Sequence, residues 1–190
     1  MAKPKLLLHV CCAPCSTYVI KLLSEEYDIT ALFYNPNMSD ADEYDKRVKE
    51  LRRFVTEAEF AKNTKIVIKE YAPEVFYEMS RGLEDEPERG RRCYECYRLR
   101  MEEAASYAKE NGFDIFTTTL SISPHKNAGW LNEIGNCLSQ KYKIDYMYSD
   151  FKKKNGYLQS IQLSKEYNLY RQNYCGCIYS KNASLNQNKK

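Results

Sequence analysis

The chain has 190 residues, enough for one ordinary domain and too few for two large ones. Its 29 Lys and Arg against 26 Asp and Glu leave a formal charge of +3, which permits a nucleic-acid partner without requiring one. A mean hydropathy of -0.68 and the lack of any apolar run of about 18 residues argue against a membrane-spanning helix, and 43% hydrophobic residues argue against disorder.

In chain order, Lys5 to Val10 reads as a buried strand. Pro14 suits the first turn of a helix, and Ser16 to Glu25 carries apolar residues at helical spacing. A second strand at Ile29 to Tyr34 closes on the turn residues Asn35-Pro36-Asn37, and a charged helix from Asp42 to Ala61 leads to a third strand at Lys65 to Lys69. Glu74 to Met79 reads as helix, Gly82 to Gly90 as an acidic loop, Tyr94 to Asn111 as a helix stopped by Gly112, and Phe113 to Leu120 as a strand. A helix from Asn127 to Lys141, a weak strand at Ile144 to Tyr148 and a helix from Gln159 to Glu166 complete the pattern. Such alternation predicts an α/β fold with a mainly parallel sheet flanked by helices, in a single domain over residues 1–181, with 182–190 as a flexible tail.

Eight cysteines are the anomaly, and seven fall in three tight groups: Cys11, Cys12 and Cys15; Cys93 and Cys96; Cys175 and Cys177. The apolar stretch Leu6 to Val10 is too short for a secretory signal core, so a reducing cytoplasmic setting is expected, where clustered thiols read as metal ligands or redox catalysts before disulfides. Cys11 and Cys12 fall where a strand hands over to a helix, the edge at which open parallel sheets bind ligands. A helix N-terminus also favours the thiolate. Neighbours on an extended chain point to opposite sides, so Cys11 and Cys12 are expected to serve different centres. Four thiolates satisfy one iron–sulfur cluster or one structural zinc; seven leave three for a second metal with an open coordination position. Cys137, within a helix, is expected to be a buried apolar thiol, His9 a satisfied core or supporting histidine, and Trp130 a core residue. Neither a GxxxxGKS loop nor a GxGxxG is present, so ATP and dinucleotides lack their usual cradle.

Several segments together carry a resemblance: HVCCAPC at His9 to Cys15, FYNPN at Phe33 to Asn37, EYDKR at Glu43 to Arg47, and GLEDEPERGRRCYECY at Gly82 to Tyr97. TTTLSISPHK at Thr117 to Lys126, DFKKKNGY at Asp150 to Tyr157, and LSKEYNLYRQNYCGC at Leu163 to Cys177 extend it. From Leu6 to Ser180 the chain resembles the cobalamin-independent epoxyqueuosine reductases of the QueH type. The resemblance implies a HUP-like nucleotide-binding fold, a 4Fe-4S cluster beside a separate iron, and reduction of epoxyqueuosine to queuosine at the wobble base of tRNA. The departures are Met38-Ser39-Asp40 in place of Ile-His-Pro, Tyr97 in place of Phe, and Gln159 in place of Arg, the last removing a candidate phosphate contact.

On that basis Cys11, Cys93, Cys96 and Cys175 are expected on the cluster, and Cys12, Cys15 and Cys177 on the lone iron. Arg91, Arg92, Lys152, Lys153, Lys154 and Arg171 are the expected tRNA contacts, with Arg89 and Arg98 also flanking a cysteine pair. His125, Glu84 and Asp150 are the candidate proton donors, and an external electron donor is required. Two other readings fit the thiols: an iron–sulfur tRNA thiolase of the ATP-pyrophosphatase type, which the missing phosphate loop disfavours, and a non-enzymatic zinc-stabilised RNA-binding module.

Overall fold

Val10 and Phe33 end parallel strands at the same level of a five-stranded sheet, and this register decides where the chain's chemistry collects. The computed structural model describes residues 2–187. The strands are β1 (Lys5–Val10), β2 (Asp28–Phe33), β3 (Lys65–Ile68), β4 (Ile115–Thr118) and β5 (Asp145–Tyr146). They pair in the order β3-β2-β1-β4-β5, all parallel. The expected parallel α/β sheet is therefore present, and its order is consistent with a HUP-like topology. The helices are α1 (Ala13–Leu23), α2 (Ala41–Glu57), α3 (Pro73–Ser80), α4 (Arg91–Glu110), α5 (Ala128–Tyr142), α6 (Gly156–Glu166) and α7 (Ile178–Gln187).

Both faces of the sheet are covered, and the two-residue period of the strands sorts their side chains between them. Leu6, Leu8 and Val10 of β1 join Ala31 and Phe33 of β2 under α1 and α2, with Val19, Ile20, Leu51 and Phe54. Leu7, Leu32 and Phe116 face the other way, against Met101, Ala104 and Ala108 of α4 and Leu131 and Ile134 of α5. A smaller cluster of Phe76, Cys96 and Cys177 lies under α3 and α7. None of the described helices is long and apolar enough to cross a membrane.

Three expectations change. The strand expected over Phe113 to Leu120 stops at Thr118, because Thr119 to Ile122 turns into a 3-10 helix whose Leu120 N–H donates to the Thr118 hydroxyl. Cys137 is exposed: the buried stripe of α5 runs through Leu131, Ile134, Gly135 and Leu138, which leaves position 137 on the solvent side. Residues 182–187 of the expected tail belong to α7, while 188–190 lie outside the described residues.

Candidate metal centre

The order of strands reverses between β1 and β4, and in open parallel sheets the crevice beyond the carboxyl ends at such a point binds ligands. Here β1 runs into Cys11 and Cys12, and β4 runs into Thr119, whose hydroxyl lies 3.9 Å from Cys11 Sγ. Cys12 is the N-cap residue of α1 and Cys15 lies in its first turn. Cys93 and Cys96 lie in the opening turns of α4, and Cys177 immediately precedes α7. Three helix N-termini thus meet their thiols at one place, and each favours negative charge. All seven grouped cysteines line a single cavity of about 570 Å³, and none of the chain's cysteines forms a disulfide.

The first group is tight. The Sγ atoms of Cys11, Cys12 and Cys15 lie within 4.8 Å of one another, and those of Cys11 and Cys12 are 3.8 Å apart. Tetrahedral thiolates at about 2.3 Å from one ion stand about 3.8 Å apart, so this spacing fits a single metal with a fourth position open. The expectation that Cys11 and Cys12 diverge is corrected here: strand alternation ends at Val10, and the bend at residue 11 turns both side chains inward. Hydrogen bonds from Cys12 and Cys15 hold the Cys11 thiol well below its ordinary range and push the two donors up.

Cys175 and Cys177 have sulfurs 3.4 Å apart. Sharing a proton with Cys177 brings Cys175 down to about 5 and pushes Cys177 up. The Ser180 N–H donates to Cys177 Sγ at 3.4 Å and the Ser180 hydroxyl accepts from the Cys175 N–H, so the first turn of α7 holds the pair. Burial pushes Cys96 up to about 11 and raises Cys93, which accepts a bond from the Arg89 N–H at 3.3 Å.

Cations surround this sulfur. Arg47, Arg89, Arg92, Arg100, Lys126 and Arg171 line the cavity, against the single carboxylate of Glu88. Lys126 forms no ion pair among the described residues; burial works against its charge, but the Cys11, Cys15 and Cys175 thiols outweigh it and raise its pKa. Arg100 is buried beside Cys96, donates to Asn35 Oδ1, and its Nε has no protein partner. Unmatched cationic charge in a thiol-lined cavity suits an anionic thiolate–metal assembly. Sequence reasoning missed Arg47, Arg100 and Lys126; the available signal was that Arg47 and Lys126 stand in the quoted EYDKR and SPHK segments, whereas Arg100 lies outside every quoted segment.

Of the candidate proton donors, only His125 lines the cavity. Its Nδ1 accepts from Arg89 Nη2 at 2.8 Å, which leaves the ring proton on Nε2. Glu84 is exposed on the acidic loop, and Asp150 pairs with Lys152 at 2.7 Å; neither carboxylate lines the cavity. Arg92 is 5% exposed and donates to the Leu83 and Glu84 carbonyls while stacking on Tyr179, so it holds the acidic loop. Arg171 is exposed at the cavity and donates to Ser164; Arg91, Lys153 and Lys154 are exposed outside it. His9 is fully buried with both nitrogens engaged, by the Thr118 hydroxyl at 2.9 Å and the Tyr34 carbonyl at 3.1 Å, which makes it a supporting residue as expected.

Comparison with known proteins points to one family. The family model described as epoxyqueuosine reductase QueH matches residues 6–183. A protein named epoxyqueuosine reductase QueH from Streptococcus pyogenes serotype M1 is 43% identical over 180 residues, which cover 94% of this chain and 71% of that protein. Its namesake from Staphylococcus epidermidis is 42% identical over 182 residues (94% and 76%), and that from Thermotoga maritima 34% over 177 (92% and 88%). The match spans every thiol that lines the cavity, and the chain belongs to the epoxyqueuosine reductase QueH family.

Proposed function

We propose that this chain reduces epoxyqueuosine in tRNA to queuosine, with its seven clustered thiols holding a 4Fe-4S cluster and a second iron. The observation that carries the reading is the convergence of all seven on one cavity at the sheet's switch point. Epoxide removal takes up two electrons and two protons and leaves an alkene and water. When bound, the cluster and iron supply reducing electrons, drawn from an external donor, and a Lewis acid for the epoxide.

The spacing within the first group favours Cys11, Cys12 and Cys15 on the lone iron, leaving Cys93, Cys96, Cys175 and Cys177 for the cluster. This replaces the interleaved division expected from sequence, because sulfurs within 4.8 Å are placed for one ion. Lys126 and Arg100 offset the negative charge of the thiolates, together with the other cations that line the cavity. His125, oriented by Arg89, presents its Nε2–H as a hydrogen-bond donor to the departing oxygen, whose two protons come from solvent. Arg171 at the cavity and the exposed Lys153 and Lys154 contact tRNA phosphates, while unpaired anticodon bases enter toward the thiols.

Anaerobic metal analysis tests the reading. Reconstituted protein should be brown and hold about five irons and about four sulfides per chain. It should convert epoxyqueuosine tRNA without ATP. A colourless protein with zinc and no sulfide would replace this function with a structural zinc site, and ATP-dependent turnover would favour sulfur insertion.

A further inference from the structure

The EYDKR segment has no assigned role in the function above, yet it places the largest fully buried side chain among the described residues beside the thiols. Arg47, on α2, is 1% exposed and lines the cavity. Its Nε donates to Glu43 Oε1 at 2.6 Å, one helical turn back, and its Nη1 donates to the Cys175 carbonyl at 3.3 Å. Gly176, at φ +115, lies so close that an added Cβ would stand 3.3 Å from both terminal nitrogens of the guanidinium. Only glycine combines that backbone angle with that approach.

The same face of α2 holds the segment leading up to these cysteines. Tyr170 donates its hydroxyl to Glu43 Oε2 at 3.2 Å and its N–H to Glu50 Oε2 at 2.7 Å. Arg53 donates to the Tyr167 and Asn168 carbonyls at 3.1 and 3.0 Å. Residues 167–177 lie between α6 and α7 with no helix or strand of their own. Their path is held by these side chains together with the Ser180 bonds and a backbone bond from the Ser39 N–H to the Gly176 carbonyl at 2.9 Å, and the α2 side chain that reaches the cysteines is Arg47.

We propose that Arg47 is a positioning residue whose guanidinium fork clips the Cys175–Gly176–Cys177 segment beside the Cys11, Cys12 and Cys15 group, so that distant thiols share one cavity. Glu43 aims the fork, the Cys175 carbonyl receives it, and Gly176 gives it room. Lysine cannot do this: it keeps the charge but donates from one point, whereas the clip needs Nε and Nη1 at once. The proposal rests on the thiols serving as ligands in the function above, but its decisive readout needs no metal.

The test is iodoacetamide labelling of the reduced, metal-free full chain, with each thiol followed by peptide mass. In Arg47→Lys, labelling of Cys175 and Cys177 should rise about tenfold, the opening expected from loss of one charged hydrogen bond, while Cys11, Cys12 and Cys15 keep their wild-type rates. Gly176→Ala, which leaves Arg47 in place, should give the same selective rise. After anaerobic reconstitution, both variants should retain less than half the wild-type iron through gel filtration. Unchanged labelling of the C-terminal pair overturns the proposal, and so does an equal rise at all seven thiols, which would make Arg47 an ordinary core residue. Selective labelling in a chain whose wild type binds no iron would keep the clip and remove the redox function.

Discussion

His9 occupies the strand that leads into the thiol cavity, yet both its nitrogens are already engaged, one by Thr118 of β4 across the switch point and the other by the Tyr34 carbonyl just after β2. Burial, with Arg100 nearby, lowers its pKa to about 3, so the folded protein keeps it neutral where an unfolded chain would protonate it. Below about 6.5 the unfolded state then binds more protons, and stability falls as pH drops toward the folded value. Between pH 6.5 and 5.0, above the range of most carboxylates, His9 should cost about 2 kcal/mol. Urea unfolding of the metal-free chain at these two pH values measures it; His9→Gln, which cannot protonate, should flatten the difference. That His9 is a core residue was legible in the sequence from its place in an apolar strand. The roles of Lys126 and Arg100 were not, since a cation matters there only through thiols that come from other parts of the chain.

Among the elements, α1 carries the N-cap Cys12 and first-turn Cys15, and it is braced from behind by α6. The close point is Gly156: an added Cβ would meet the Phe151 carbonyl oxygen at 1.9 Å and the Tyr18 ring at 2.6 Å. Backbone cannot yield as a flexible side chain does, so Gly156→Ala should lower stability by at least about 2 kcal/mol, or about 5 °C in Tm. Leu158→Ala, at a position of the same helix that is 56% exposed, should change Tm little. Thermal unfolding of the two variants decides whether this packing or α6 propensity holds α1. The strands were legible as short apolar runs, because Leu6, Leu8 and Val10 are buried on one face of the sheet and Leu7 and His9 on the other, and the first six helices were legible from apolar residues at helical spacing. Helix α7 was missed because its polar run Ser180 to Gln187 has little apolar stripe; its visible function is local, in the Ser180 bonds to Cys175 and Cys177.

At the scale of the whole molecule, charge is nearly balanced overall but uneven around the cavity, where cations outnumber the one carboxylate. Lys153 and Lys154 extend the cationic surface outside it, and Lys152 is tied to Asp150. Replacing all three lysines with Ala should weaken tRNA binding and reduce the slope of log Kd against log salt by about 1.4, as expected for the two single-strand phosphate contacts of Lys153 and Lys154. Binding at two salt concentrations is sufficient; an unchanged slope removes these lysines from the interface. The amino-acid sequence by itself determined the parallel α/β architecture, the surplus of thiols over one cluster and the family, since strand and helix periods and local motifs are properties of neighbouring residues. Only the tertiary structure decided that Cys11 and Cys12 face the same way, that Glu84 and Asp150 lie outside the cavity, and that Arg47 reaches the Cys175 carbonyl. Those facts depend on the bend after β1 and on residues 128 positions apart being packed together, and spacing along the chain carries no record of either.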